Sequence, residues 1–304
     1  MNQEERVKIV ETGQPFNFGY VPSPKDKRDY KLSKVNNLIG SVPIITPTFF
    51  SDISQLPILM QAQQPACVGF ATASGMMATD KGAYSWDYSP RFLYDLAKRD
   101  DGVPNVEGTY YRQCLKEGQK NGVCDNVEFP NDVSLQYNIY KDWTLIPANA
   151  FTAAKNRLVK SYVAVDDLSL DGIKQAIYQN GYVLLGVQLG DEWWTSPTGV
   201  TSWAQDDILN PALRPPKNVV SGHAILAYGY DQDYIYFVNS WSTQWGRNGI
   251  GWFGEDYEPF VQEGWTFIDL APEVIKNLST QISILQKVIN LIKLLLKKPK
   301  VTKS

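Results

Sequence analysis

Apolar and polar positions alternate with two different periods along this chain, and the change of period divides it. Ala66 to Lys81 is an unbroken stretch rich in Ala, Gly, Ser and Met without proline, which predicts a tightly packed helix entered at Cys67. Ser89-Pro90 then opens Arg91 to Lys98, where Phe92, Leu93 and Leu96 recur at helical spacing. A further helix is predicted from Tyr110 to Lys120, closed by Asn121-Gly122. Beyond it, Asp171 to Asn180 reads as a short helix stopped by Gly181, and Tyr182 to Leu189 as a buried strand. His223 to Tyr230 and Tyr234 to Val238 read as two strands joined by the turn Asp231-Gln232-Asp233. A helical half followed by a strand-rich half predicts an α+β protein with a cleft between two lobes.

The flanks carry other patterns. Residues 1 to 45 are polar and punctuated by Pro15, Pro22 and Pro24, with the charge run Lys25-Asp26-Lys27-Arg28-Asp29. Too few apolar residues are present for an independently folded domain, so this stretch is expected to be an extended strap lying across the surface. Between Gly190 and Gly222 runs an aromatic-rich loop whose Trp193, Trp194 and Trp203 serve either packing or a binding wall. From Pro272, the residues Val274, Leu278, Ile282, Leu285, Ile289, Ile292 and Leu296 fall at steps of three or four until Pro299. That pattern predicts a C-terminal amphipathic helix of about 40 Å, with a stripe expected to dock on a protein partner or a second copy. Lys287, Lys293, Lys297 and Lys298 leave a membrane surface as the alternative. The predicted organisation is a strap at 1–45, a two-lobed domain at 46–272 divided near 165, and a helix with a basic tail at 273–304.

The whole chain has 304 residues, 43% hydrophobic and 20% charged, with a formal net charge of -3. Such a chain can bury one large core or two modest ones, and it has no basic field to make nucleic acid a general partner. Met1 to Lys8 is too charged for a signal peptide and no run of eighteen apolar residues occurs, so a cytoplasmic setting, or release by lysis, is expected. Three cysteines do not make a disulfide framework, and Cys114 and Cys124 are expected to be free thiols. A zinc site from the cysteines and the histidine lacks any close Cys pair, and neither metal nor cofactor is expected.

One histidine, His223, stands in Ser221-Gly222-His223-Ala224, and Asn239-Ser240-Trp241 begins sixteen positions later. A cysteine in a small-residue helix is ordinarily a small buried hydrophobe. Cys67, however, sits where the helix dipole and unpaired N–H groups favour thiolate, and an imidazolium beside it would add a full charge. Lowering a thiol from about 8.5 to about 4 needs on the order of 6 kcal/mol, so both effects are wanted. Asn239 could hold the other ring nitrogen of His223 and fix its tautomer, with Trp241 covering that hydrogen bond from water. Gln61, six residues before Cys67, could share a tetrahedral oxyanion with the Cys67 backbone N–H.

Gln61 with Cys67 and Phe70-Ala71, Gly222-His223-Ala224 with Gly229-Tyr230, and Asn239-Ser240-Trp241 followed by Trp245-Gly246 and Asn248-Gly249 resemble the papain-like cysteine peptidases over roughly residues 45 to 270. The resemblance implies a helical lobe and a β-barrel-like lobe with the active site between them, and peptide-bond hydrolysis by Cys67, His223, Asn239 and Gln61. It also makes Gly108, Gly222 and Trp245 cleft candidates. Gly19-Tyr20-Val21-Pro22, Arg28-Asp29-Tyr30, Gly108-Thr109-Tyr110-Tyr111-Arg112 and Gly122-Val123-Cys124 are similar to the bacterial and phage branch. Four positions depart from the family pattern: Val68 where many members have Trp, Ala62 and Ser242 where they have glycine, and Gly222 where Asp is frequent. Two further roles stay open at this point, a phage-type lysin cleaving peptidoglycan peptides and a virion or scaffold component using the fold for assembly.

Overall fold

The computed structural model describes residues 19–39, 46–81, 83, 85–190, 193, 212–213, 215–219, 221–268, 280 and 287. The predicted C-terminal helix lies outside the described residues apart from Thr280 and Lys287, as do Trp194 and Trp203.

Five helices build the first lobe: α2 (Cys67–Asp80), α3 (Pro90–Asp100), α4 (Tyr111–Lys120), the short α5 (Tyr137–Tyr140) and α6 (Ala148–Ala154). Helix α2 is buried from Cys67 to Ala78, all but its last two residues. Its small residues make that possible: a side chain at Gly69 would meet Tyr94 of α3, and one at Gly75 would meet Phe267 and Leu184. At the start of α3, the Ser89 hydroxyl accepts the Phe92 N–H at 3.2 Å and Pro90 occupies the first turn, as the sequence pattern predicts.

The second lobe is a sheet of β2 (Ser161–Val165), β3 (Val183–Leu189), β4 (Ala212–Leu213), β5 (Ser221–Tyr230), β6 (Ile235–Val238), β7 (Ile250–Phe253) and β8 (Val261–Ile268). Their order is β2-β8-β3-β5-β6-β7-β4, antiparallel except for β4 on β7, and β1 (Phe49–Phe50) joins β5. Strand β3 shows how the sheet serves two cores. Val183, Leu185, Val187 and Leu189 pack with Ile173 and Ile177 of α7 (Leu170–Asn180) and with Phe237. Leu184 turns the other way, with Ala224, Leu226 and Phe267, toward Met76 and Met77 of α2. The lobes are thus fused through the axis of α2, whose first residue opens at the cleft.

Observed and predicted elements agree for α2, α3, α4, α7, β3, β5 and β6, and Asp231 closes the predicted turn by accepting the Asp233 and Tyr234 N–H groups. The strap expectation needs correction. Gly19 to Tyr30 is largely extended, but Leu32–Ile39 forms a helix, α1, because Leu32 and Val35 bury a common edge against the sheet.

Helix α4 ends where the Gly122 N–H reaches Gly118 O at 3.1 Å with Gly122 at φ +80°. A Cβ there would stand 1.9 Å from the Ala154 carbonyl oxygen. Left-handed strain and overpacking therefore act together, and Gly122→Ala is expected to lower unfolding free energy by about 2 to 4 kcal/mol in urea melts. A change below about 0.5 kcal/mol would show that the α4–α6 contact yields without cost.

Candidate active site

Cys67 is the first residue of α2, and Ala66 before it offers no side-chain cap. The first-turn N–H groups are consequently left to the sulfur: those of Cys67 and Val68 point at it, joined by the Ala224 N–H from β5 and the Gly19 N–H from the N-terminal segment. His223, one residue before Ala224, pairs with Val187 in the ladder, which places its ring at the edge of the same cleft. Its Nε2 lies 2.8 Å from Asn239 Oδ1. That oxygen also accepts the Ser240 N–H at 2.8 Å, so it is an acceptor, and the ring hydrogen sits on Nε2. In the neutral imidazole this makes Nδ1 the basic nitrogen. Trp241 lies over the ring with centroids 4.7 Å apart and Trp193 meets it edge-on at 5.7 Å, sheltering the hydrogen bond to Asn239.

Gln61 reaches the site from the loop before α2. Its backbone N–H donates to Ser240 O at 2.9 Å, its Oε1 accepts the Ser240 hydroxyl at 2.6 Å, and its Nε2 donates to Gln64 O at 3.1 Å. Gln64 is anchored in turn on Val133 O and Leu135 O. Ser240 thus locks the segment bearing Gln61 to the segment bearing Asn239. Its hydroxyl went unremarked in the sequence because its partner lies 179 positions away.

Two of the family departures gain a physical reading. Ala62 (φ +48°) and Ser242 (φ +65°) both adopt the left-handed conformation that glycine tolerates best. Each holds strained backbone beside the site, Ala62 directly after Gln61.

The expected strap on the surface is instead, around Gly19 and Tyr20, inside the cleft. Cys67, His223 and Gln61 are each 0% exposed and Tyr20 only 6%. Burial pushes the Cys67 thiol up to about 12 against the opposing pull of the four N–H groups, and pushes His223 down to about 4 against its bond to Asn239. The low thiol pKa expected from the helix start and an imidazolium is therefore not the state of this closed cleft. Desolvation outweighs the dipole at Cys67, and it favours the neutral form of His223 as well.

Of the cleft candidates, Gly108 and Gly222 both line the Gly19–Tyr20 segment. The buried Lys98 ammonium fixes the loop of Gly108, donating to Gly108 O at 3.0 Å and to the Asp101 carboxylate at 2.9 Å. Trp245 packs behind the site, its ring centroid 5.6 Å from that of Trp241. It stacks on Trp193 at 5.8 Å and donates through Nε1 to Trp193 O at 2.7 Å, and Trp193 itself proves to be a packing residue. Cys114 and Cys124 are buried free thiols in the helical lobe. Among the described residues, no cluster of His, Cys, Asp and Glu is placed to hold a metal ion, and no helix is long and apolar enough to cross a membrane.

Residues 55–258 match the papain family cysteine protease profile. No curated protein matches the chain. In fold it is similar to xylellain, a cysteine protease from Xylella fastidiosa, at 20% identity and a TM-score of 0.66 over 84% of this chain and 96% of that one. It is also similar to the cysteine protease and lectin-like domains of Cwp84, a surface layer associated protein of Clostridium difficile, at 14% identity and a TM-score of 0.61 over 87% of this chain and 58% of that one. A third likeness is to the Carica candamarcensis cysteine protease CMS1MS2 in complex with E-64, at 16% identity and a TM-score of 0.52 over 73% of this chain and 98% of that one.

Proposed function

We propose that this chain, which belongs to the papain family of cysteine proteases, cuts peptide bonds with Cys67 as nucleophile, His223 as base and then acid, Asn239 as the group orienting His223, and Gln61 as an oxyanion donor. Family membership makes it a thiol peptidase acting on peptide substrates. The observation that best supports the residue roles is the convergence of Cys67 at the head of α2, the His223 Nε2 to Asn239 contact of 2.8 Å and the Ser240 bridge to Gln61 at 2.6 Å.

In this reading, substrate entry replaces the buried neutral pair by one in which His223 Nδ1 takes the Cys67 proton. The sulfur bonds to the carbonyl carbon, and the oxygen becomes anionic between the Cys67 N–H and the second Nε2 hydrogen of Gln61, the first being held by Gln64 O. His223 passes its proton to the departing amine, leaving a thioester. Water attacks that thioester while His223 takes its proton, and the acid product leaves with Cys67 restored as thiol. Trp241 keeps water from the His223–Asn239 bond throughout. A lysin would use the same Cys67, His223, Asn239 and Gln61 on a narrower class of substrate, the assembly-module reading needs none of them, and the peptidase reading is the one retained.

Incubating the full chain with a thiol-reactive epoxide such as E-64 and mapping the adduct by mass spectrometry tests this assignment. When the Gly19–Tyr20 segment leaves the cleft, the folded protein is expected to carry the adduct on Cys67 alone, and unfolding, which dismantles the activated site, should leave all three cysteines unlabelled. An adduct on Cys114 or Cys124 with Cys67 untouched would refute it.

A further inference from the structure

Helix α2 opens at the cleft with its first residue and at a separate hollow with its last. From Cys67 to Asp80 the helix rises about 20 Å, and at its far end a cavity of about 600 Å³ lies where the two lobes part. Four elements begin or end around it. Helix α2 closes with Lys81 in the left-handed conformation at φ +51°, its N–H turned back to Met77 O and Ala78 O. The β2–β8 ladder reaches its last rung at the pair of Ser161 and Ile268, and α7 ends at Asn180. A space of this size falls in the range that small-molecule sites occupy.

Its lining is divided by chemistry. Met76, Val159 and Phe267, all buried, form an apolar floor, and the exposed Leu158 extends it outward. Around that floor stand three cations, Lys81, Arg157 and Lys160, against one carboxylate, Asp80. In a chain whose net charge is -3 this inverts the sign locally and draws anions. Asp80 is already engaged, accepting the Tyr88 hydroxyl at 2.7 Å, and Arg157 donates to the Asp125 carboxylate at 2.6 Å. The Lys81 ammonium, by contrast, makes no hydrogen bond or ion pair among the described residues. Two donors of the wall are buried with no acceptor among those residues. One is the hydroxyl of Ser161, a residue only 3% exposed, and the other is Nε2 of Gln179, whose amide is oriented by Asn36 donating to its Oε1 at 2.8 Å. What the cavity leaves uncommitted is therefore donor and cation, beside an apolar floor.

We infer that this cavity binds a small amphipathic carboxylate, with the acid drawn to Lys81 and the donors of the wall and the apolar body laid on Met76, Val159 and Phe267. An inorganic anion would meet the same cations but gain nothing from the floor, and an amphipathic cation would face Lys81, Arg157 and Lys160 as like charges. Met76 and Lys81 belong to α2 and its cap, whereas Ser161 and Phe267 belong to the sheet, so one bound molecule touches both lobes and stabilises the folded chain. The site is independent of the peptidase reading, since about 20 Å of helix separates it from Cys67 and none of its residues takes part in the catalytic steps.

The probe is decanoate, titrated into the full chain below its micellar concentration and followed by calorimetry and thermal melts. Its Kd is expected on the order of 0.1 mM, and at tenfold that concentration it should raise the melting temperature by about 2 to 4 °C. Inorganic phosphate, acetate and decyltrimethylammonium should each bind at least about tenfold more weakly. Two substitutions locate the site. Lys81→Gln should weaken decanoate by about two- to fivefold, the effect of one exposed charge. Thr79→Trp, at an exposed position of α2 on the cavity wall, should weaken it by about tenfold or more by filling the space. Both variants should keep the ligand-free melting temperature within about 2 °C, as surface changes do. If Thr79→Trp bound decanoate as tightly as the parent chain, the ligand would lie elsewhere on the protein and the inference would fall. Equal binding of decanoate and decyltrimethylammonium would reduce the site to apolar contact, and phosphate bound as tightly as decanoate would make it a site for plain anions; either result overturns the assignment. Neither heat nor thermal shift with decanoate overturns it outright.

Discussion

Replacing Cys67 with alanine is expected to lower kcat/KM for peptide hydrolysis by on the order of 10⁴-fold or more, in the full chain and in the Tyr20→Ala background alike. The sulfur is the only atom that forms the covalent bond, and no neighbouring nucleophile can replace it. His223 has no second proton to take once the thiol is gone. Cys114→Ala and Cys124→Ala should keep kcat/KM within about threefold. The Cys114 sulfur packs against Leu93 O at 3.9 Å in the interlobe core, and Cys124 belongs to the small cluster of Phe92, Leu96 and Phe129. Their loss removes buried volume, which should appear as about 1 kcal/mol less stability and not as a lost rate. Measuring initial rates and urea midpoints on the same three preparations separates the two effects. Equal rate losses in all three variants would mean that the cysteines act through the fold and that Cys67 is no nucleophile.

Much of the site could be read in the chain because each catalytic group sits in a short segment whose local pattern states its role. Small residues around Cys67 announce a buried helix, and helix starts have known electrostatics. The interval from His223 to Asn239 spans one hairpin, so the strands that carry these residues bring them together as neighbours. Strand β8 escaped detection for the opposite reason. Its sequence Val261-Gln262-Glu263-Gly264 interrupts the apolar pattern because Glu263 faces the cleft instead of a core. β2 is short, and its alternation of buried and half-buried residues leaves little signal in five positions.

The contents of the cleft were beyond reach altogether. Tyr20 looks like one more aromatic in a proline-rich stretch, and what holds it is Thr109, Gly186 and Gly222, contributed by three separate segments. The same long-range burial reverses the thiol expectation. A helix start favours thiolate by a modest amount, whereas removing water from both Cys67 and His223 acts on the full charges. Opening the cleft restores that water, and with it the balance that the local sequence describes.

Gln61→Ala, measured in the Tyr20→Ala background, is expected to reduce kcat by about 10² to 10³ while changing KM by less than about threefold, because an oxyanion donor meets charge that exists only in the transition state. That loss corresponds to about 3 to 4 kcal/mol. A structural contribution must be separated from it, since the Gln61 side chain also holds the Ser240 hydroxyl and Gln64 O. Ser240→Ala supplies the comparison. It removes the 2.6 Å bond that orients the Gln61 amide but leaves the amide present, so kcat should fall by about tenfold, the cost of one misdirected hydrogen bond. Gln61→Glu keeps the shape and the Ser240 contact while replacing the N–H donor with a carboxylate oxygen, and it should be at least as damaging as Gln61→Ala because like charge faces the forming oxyanion. Cys67 alkylation is the control, since it develops no carbonyl oxyanion: its rate should stay within about threefold across these variants. If Gln61→Glu retained kcat, or if alkylation fell in parallel with kcat, Gln61 would be a packing residue of the loop and the negative charge would have to be held by other donors.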